Sequence, residues 1–469
     1  MARYHGQAWL ANLPLTHTGV WNFQGRGVLH PLPQADSALP PTGHHVQSLA
    51  RKDGTQQAPQ HIDYGRGNRH TTFHMFFRCF CLPSRDRHPN IWAISSHMPE
   101  KCPWTVVTIG TRNYLHFPRT LAASVRQVHP EADVVLCLVD APPTGWDSSL
   151  EPFKVVFADK LGIQNWNKFL FQYTPFELCC ALKPFFLNYI FRTTDTKKVL
   201  YFDGDVFVCG RLDELLDKLD SATIILTPHL TSPISVTAPN RREIESLKTG
   251  AFNAGFIGAR NTEITISMLD WWQTRTRHWC KWKINHHDQG WLDAVPALFD
   301  GVAIERGAQY NVAVWNTGNR DFSEDSLGRV NVNGRPLAFF HFAALEPDKP
   351  DSLSRIAWRN YDQEPTSVRR LHKEYLAKLE AYGMAHCQAW GYQYDRLADG
   401  TTIKEEWREL VRNFNPDLGN AINPFSLMAH DLEMLVQAER ERKSRARDRR
   451  MADRRINKGR NTHLLNTAS

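Results

Sequence analysis

Apolar positions fall into regular patterns only from about residue 105 onward. Thr105-Val-Val-Thr-Ile109 is a continuous apolar run of strand length, and Asp133 to Val139, Lys198-Val-Leu-Tyr-Phe202 and Ala222 to Leu226 repeat the type. Between these runs, Phe117 to Val128, Phe176 to Phe191 and Leu212 to Leu219 space their apolar residues as helices do, with Pro184 predicting an interruption or kink in the second. Strands alternating with helices predict an α/β fold around a mainly parallel central sheet. Ligands of such sheets bind beyond the carboxyl ends of the strands, which places Gly110–Tyr114 and Asp203–Asp205 at one rim. Further along, Phe252 to Gly258 and Leu337 to His341 read as strands. Glu263 to Trp279, Asp288 to Leu298 and Ser367 to Tyr382 read as helices. Asp431 to Arg455 reads as a solvated helix fading into a basic tail.

The first 97 residues lack either period. They contain no Glu, a single Lys (Lys52) and ten of the chain's 21 histidines. Such a segment buries little apolar surface and is expected to be disordered. Regular structure follows Met98 closely, so residues 1–97 are expected to lie outside the working protein. The resulting division is 1–97, a catalytic-type α/β domain over 98–355, a helical and loop extension over 356–430, and a charged helix and tail over 431–469.

Composition and charge narrow the class. The chain has 469 residues, 42% hydrophobic, enough for a sizeable core. No apolar run approaches the length of a membrane span; the nearest, Phe73 to Leu82, is broken by Arg78. The net charge of +7 resides in one place: between Ala438 and Arg460 there are eleven Lys/Arg against four Asp/Glu, so the remainder is neutral. The body therefore does not read as a nucleic-acid binder, while the tail suits an anionic surface. Nine scattered cysteines, several in apolar segments, suggest buried thiols in a reducing compartment, and Cys79-x-Cys81 has no second pair at zinc-finger spacing. The expected location is the cytoplasm, with peripheral contact at the inner membrane surface through the tail.

The strongest chemical signal is Tyr201-Phe-Asp203-Gly204-Asp205-Val-Phe-Val208. A strand runs into two carboxylates one residue apart and then resumes as apolar chain. Two carboxylates at a strand end repel each other, and a divalent cation with a preference for hard oxygen ligands, Mg²⁺ or Mn²⁺, resolves that cost. Gly204 removes a side chain where phosphates could approach. A plain D-G-D turn between strands explains the tripeptide equally well.

The arrangement resembles the D-x-D glycosyltransferases of the GT-A fold, and within them the retaining glycogenin and lipopolysaccharide-galactosyltransferase type. The resemblance spans roughly Thr105 to Arg355 and is carried by an ordered set of segments. Leu182-Lys183-Pro184 lies where those enzymes carry a basic residue facing the donor. Phe252-Asn253-Ala-Gly255-Phe-Ile257 is similar to their F-N-x-G segment, and His287-Asp288-Gln289-Gly-Trp-Leu292 to their D-Q-x-x-L. Phe340-His341-Phe342 followed by Lys349-Pro350 resembles their late H-x-x-G…K-P segment, with Ala344 near the place of the glycine.

The resemblance implies a donor that is a nucleotide-diphosphate sugar, UDP-linked, and an acceptor that is a carbohydrate, lipid or protein. It implies Asp203, Asp205 and His341 as metal ligands. Lys349 would neutralise the diphosphate, and Thr108, Thr111 and Tyr114 would receive base and ribose. Lys183, Gly204, Asn253 and Gly255 complete the donor site, with Asp288 and Gln289 joining Lys183 in the catalytic set.

Plainer readings stand beside each of these. His341 suits a core histidine, Lys349 a surface lysine, and Tyr114 a buried tyrosine under the following helix. Asp288 suits an N-cap, and the dense Trp271, Trp272, Trp279, Trp282 and Trp291 suit core packing with one or two left for an acceptor. An inverting enzyme would need a carboxylate base, for which Glu305 and Asp293 are candidates. Two other functions remain open: a sugar-nucleotide nucleotidyltransferase, to which Gly110-Thr-Arg112 is a poor fit, and a non-catalytic carbohydrate- or nucleic-acid-binding protein.

Overall fold

Residues Trp104–Gly110 form strand β1, buried along its whole length, so neither face needs polar side chains. This computed structural model describes residues 104–234, 240–281, 286–413 and 423–466, all within the compact unit Trp92–Ser469. The expected disorder over 1–97, the Cys79–Cys81 pair and Trp282 lie outside the described residues.

After β1 come helix α1 (His116–Val128), β2 (Asp133–Leu138), β3 (Lys154–Phe157), α2 (Trp166–Phe171) and α3 (Pro175–Thr193). These are followed by β4 (Lys198–Phe202), β5 (Val206–Val208), α4 (Asp213–Ser221), β6 (Ile224–Pro228), α5 (Arg241–Thr249), β7 (Phe252–Arg260) and α6 (Glu263–Thr276). With β8 (Val302–Ile304), seven strands make one sheet in the order β3-β2-β1-β4-β7-β6-β8. All neighbours run parallel except β7, which is antiparallel to both β4 and β6. The fold is thus the expected α/β architecture with a mainly parallel central sheet.

Two local irregularities shape the sheet's functional rim. Leu226 pairs with Ile257 but the next residue, Thr227, pairs with Asn253, so Ala254, Gly255 and Phe256 are extra on β7. Such a bulge bends its strand and re-aims what it carries; here it leans toward β4, where Asp203 N donates to Gly255 O at 2.9 Å. The second is a two-stranded ladder outside the main sheet. The late strand β12 (Phe339–His341) pairs antiparallel with β5, His341 opposite Val206. The three-stranded meander of β9 (Phe322–Glu324), β10 (Val330–Val332) and β11 (Arg335–Pro336) precedes it.

Helix α3 begins with a capping box: Thr174 Oγ1 accepts from Glu177 N while Glu177 accepts from Thr174 N. It covers the expected helical stretch and runs through Pro184 without interruption. Thirteen of its 19 residues are buried, and that packing outweighs the lost hydrogen bond. The expected helix over Asp288–Leu298 is instead two short turns, Gln289–Leu292 and Val295–Leu298. Pro296 has no N–H and would clash with the carbonyl one turn earlier, so the chain breaks before it.

The C-terminal helix Ala429–Asn466 is not solvated throughout. Leu432 and Val436 are buried with Phe171, Trp407 and Leu410, and from Arg440 to Ala452 the side chains are exposed. All six described cysteines are free thiols, four of them buried. Among the described residues no helix is long and apolar enough to cross a membrane.

Candidate active site

The end of β4 gathers more charge than any strand end can bury without compensation. Lys183, from the middle of α3, is 3% exposed at its side chain and lies 3.0 Å from Asp203 Oδ1 and 2.9 Å from Asp288 Oδ2. Its ammonium also donates to Ala254 O at 3.0 Å, a carbonyl delivered by the β7 bulge. Burial works against the charge, but the two carboxylates outweigh it and hold Lys183 well above the ordinary lysine range. Tyr201 adds a hydroxyl that donates to Asp203 Oδ1 at 2.6 Å. Lys183 thus meets Asp203, the negative partner that a lysine buried on an apolar helix face requires. Asp288 as its second partner was not legible, and Asp288 makes no side-chain cap of the turn that follows it.

Asp203 and Asp205 flank Gly204 in a tight turn, with Val206 N donating back to Asp203 O at 3.1 Å. A Cβ at Gly204 would sit in ordinary contact with Phe117, 3.5 Å away. The β5–β12 ladder then swings His341 over the pair: Phe342 N donates to Asp205 O at 2.9 Å, and His341 Nε2 lies 3.1 Å from Asp205 Oδ1. Asp203, Asp205 and His341 each offer one ligating atom, all within 4.8 Å of one another. Burial works against the Asp205 charge, but the imidazole beside it dominates and holds its carboxyl below the usual range. Burial likewise opposes a charged His341, and Asp205 overcomes it, raising the imidazole. Two carboxylates and one imidazole nitrogen converging in this way are a donor set that fits Mn²⁺ or Mg²⁺.

Gly255 makes this possible sterically. A Cβ there would lie 2.3 Å from His341 Cε1 and 2.7 Å from its Nδ1. Its role in the structure is to leave room for the imidazole. Asn253 is 7% exposed and fully engaged: its Oδ1 lies 3.2 Å from His341 Nδ1, and its Nδ2 donates to Gln289 Oε1 at 3.1 Å. Gln289 Oε1 also accepts from Ala254 N at 3.1 Å, and its Nε2 donates to Thr249 O at 2.7 Å. Asn253 and Gln289 thus pin the β7 bulge from one side while Lys183 pins it from the other.

The loop after β1 is arranged less openly than expected. Thr108 is fully buried within β1, and Thr111 is buried with its hydroxyl donating to Asn113 Oδ1 at 2.7 Å. Tyr114 is 50% exposed, which corrects the alternative of a tyrosine buried under the helix; its ring stacks on Phe117 at 5.7 Å between centroids. Lys349 is exposed and paired with Glu346 at 3.0 Å. Of the tryptophans, Trp272 is fully buried and its indole donates to Asp288 O at 3.3 Å, whereas Trp279 is half exposed.

The sheet is of GT-A type, and the family that matches it makes the chain a glycosyltransferase. The chain belongs to glycosyl transferase family 8, which matches residues 105–343. That match decides against both the nucleotidyltransferase and the non-catalytic readings. Two Bacillus subtilis (strain 168) proteins are similar. The uncharacterized protein YfnF is 28% identical over 209 residues, 43% of this chain and 67% of that one. The uncharacterized protein YfnD is 26% identical over 214 residues, 44% of this chain and 65% of that one. Among solved structures, the galactosyltransferase LgtC in complex with donor and acceptor sugar analogs aligns at a TM-score of 0.36 and 17% identity, covering 65% of this chain and 99% of that one. The glycosyltransferase GlyE of Streptococcus pneumoniae TIGR4 aligns at 0.36 and 18%, covering 60% and 64%.

Replacing Lys183 with Met should destabilise the protein by about 3–5 kcal/mol, because Asp288 is left buried without a cation. Urea denaturation of the variant against wild type measures this. Unchanged stability would show that the buried ion cluster does not hold the rim together.

Proposed function

We propose that this enzyme transfers a sugar from a UDP-sugar to a hydroxyl-bearing acceptor, using a divalent cation held by Asp203, Asp205 and His341, and that it retains configuration at the anomeric carbon. The observation that carries this reading is the convergence of those three ligating atoms within 4.8 Å at the mouth of β4. When bound, Mn²⁺ or Mg²⁺ would supply Lewis acidity that offsets charge growing on the departing diphosphate. Lys183 has its three donors committed to Asp203, Asp288 and Ala254 O. Its part is to hold two carboxylates in place beside the donor rather than to reach out to it. Gln289 and Asn253 keep the bulge of β7 at the sugar end of the site. Tyr114 offers an exposed ring to the base, with Thr108 and Thr111 shaping the loop behind it. Lys349, exposed and paired with Glu346, is the positive charge that can turn to the diphosphate.

In the reaction, the bond from the anomeric carbon to the diphosphate oxygen breaks. The acceptor oxygen bonds to that carbon on the same face, and its proton passes to the departing phosphate. Inversion would need a free carboxylate base. Glu305 pairs with Lys218 and accepts from Gly307 N at 2.7 Å, and Asp293 accepts from Ala251 N at 2.9 Å. Both candidates are committed to structure, which favours retention.

We further place the enzyme in the cytoplasm, with its C-terminal helix against an anionic membrane face. Arg447, Arg449 and Arg450 are exposed there and, among the described residues, form no ion pair with a carboxylate. Attraction of this kind is screened by salt.

Release of UDP from a panel of UDP-sugars, with Mn²⁺ and with EDTA, tests the first proposal. Asp203→Asn and Asp205→Asn should each abolish Mn²⁺-dependent release; Asp205→Asn should keep the melting temperature within a few degrees of wild type, while Asp203→Asn lowers it because Lys183 loses a carboxylate partner. Normal turnover in either variant, or in EDTA, would overturn the metal role. Deleting residues 438–469 should leave turnover on a soluble acceptor unchanged and lower binding to phosphatidylserine-containing vesicles in a salt-sensitive way. Vesicle binding that is unaltered by the deletion would rule out the tail.

A further inference from the structure

Every hydrogen bond around Asn253 can be assigned a direction, because backbone groups fix the ends of the network. Gly255 N–H donates to Asn253 Oδ1 at 3.1 Å, and a backbone N–H can only donate, so that atom is the oxygen. Ala254 N–H likewise fixes Gln289 Oε1 as an acceptor, so the Asn253 atom 3.1 Å from it is the NH₂ group. That NH₂ also lies 3.4 Å from His229 Nε2. The other His229 nitrogen, Nδ1, donates to Gly250 O at 2.8 Å, leaving Nε2 as the acceptor. Burial keeps that ring neutral, its pKa lowered to about 4.

Two further groups then face Asn253 Oδ1, and both must be donors. One is His341 Nδ1 at 3.2 Å; the other is the side-chain amide of Asn311, at 3.1 Å. The Nδ1 proton of His341 is therefore held. Nε2 faces the Asp205 carboxylate, an acceptor only, and so carries the second proton in this structure; giving up that one leaves the lone pair on Nε2, ready for a cation. A histidine ligates a metal through the nitrogen opposite the one whose hydrogen bond fixes its tautomer.

We propose that Asn311 is a positioning residue for the metal ligand His341, acting through Asn253. This rests on the metal reading of the Asp203–Asp205–His341 site. Asn311 is fully buried and spends both Nδ2 hydrogens at this point, one on Asn253 Oδ1 and one on Thr227 Oγ1 at 2.9 Å. Thr227 lies at the edge of the β7 bulge, opposite Asn253. Asn311 also sits on the segment that flanks β12: His341 N donates to Val312 O at 2.7 Å. One residue thus ties the imidazole's backbone, the orientation of the amide behind its ring and the bulge that makes room for it. Its backbone is left-handed, φ 47°, a conformation that asparagine tolerates and most residues resist. The Asn316 side chain braces that turn, donating to Asn311 O at 3.0 Å and accepting from Ala313 N at 2.9 Å.

Two substitutions separate positioning from bulk. Asn311→Gly keeps the left-handed backbone and deletes the amide. Asn311→Asp keeps the shape but sets an acceptor against Asn253 Oδ1. Gly255 N–H keeps Asn253 Oδ1 in place, so the two acceptors repel, the hydrogen bond from His341 Nδ1 is weakened, and the imidazole proton is free to settle on Nε2, the ligating atom. Mn²⁺ alone, titrated into the metal-free full-length chain by calorimetry, should bind about 10- to 100-fold more weakly in both variants. The ¹⁵N spectrum of histidine-labelled protein with saturating diamagnetic Mg²⁺ should show His341 protonated on Nδ1 alone in wild type and on Nε2 in Asn311→Asp. Asn311→Gly covers the case in which the aspartate variant fails to fold. Wild-type Mn²⁺ affinity in a folded Asn311→Gly, or a His341 tautomer unmoved in Asn311→Asp, would overturn the role of Asn311. A wild-type protein that takes up no Mn²⁺ would instead overturn the metal reading on which it stands.

Discussion

The burial of Lys183 is the constraint to which the rest of the site answers. An ammonium 3% exposed at its side chain, in the middle of a helix packed on the sheet, is tenable only with negative partners in contact. It takes them from three separate pieces of chain: Asp203 at the end of β4, Asp288 in the turn after α6, and a carbonyl of the β7 bulge. Sheet, helix and loop are thereby fixed to one point. The same arrangement leaves Asp205 outside the lysine's reach, paired with His341 and facing the opening. One carboxylate of the D-G-D turn is thus committed to structure as well as chemistry, while the other depends on an imidazole that a cation can replace.

What surrounds this point is polar. The bulge of β7 turns backbone N–H groups inward, and the side-chain amides of Asn253 and Gln289 accept from them in a fixed sense. Amide orientations are set by backbone groups that cannot reverse, so the direction propagates outward to His229 and His341. This order is expected of a site that must hold its ligands ready before substrate arrives. It also accounts for Gly255, whose missing side chain is the space that the His341 ring fills.

Much of this could be read from the chain, and what could not has physical causes. The strands were legible as apolar runs, and the Asp203–Asp205 rim because a buried strand ended in charge. Lys183 was legible because a lysine on an apolar helix face demands a partner. Its second partner was not, since Asp288 approaches from 105 residues away and its neighbours suggest a helix cap. Pro184 does not interrupt its helix, because helix propensity is weaker than the burial of α3. Pro296 did mark a break that apolar spacing alone concealed. Asn311 carries no motif at all; its role exists only once β12 crosses to β5 and brings His341 beside β7. The one local hint is that asparagine is among the residues that tolerate left-handed backbone.

The account stands or falls on the cation. Crystals of the full chain grown with Mn²⁺ and UDP, with data collected near the manganese absorption edge, give an anomalous signal that locates the ion directly. The account predicts a peak bonded to carboxylate oxygens of Asp203 and Asp205 and to Nε2 of His341, with the Asn253–His341 Nδ1 hydrogen bond retained. A peak elsewhere, or none with His341 Nε2 still resting on Asp205, would contradict it.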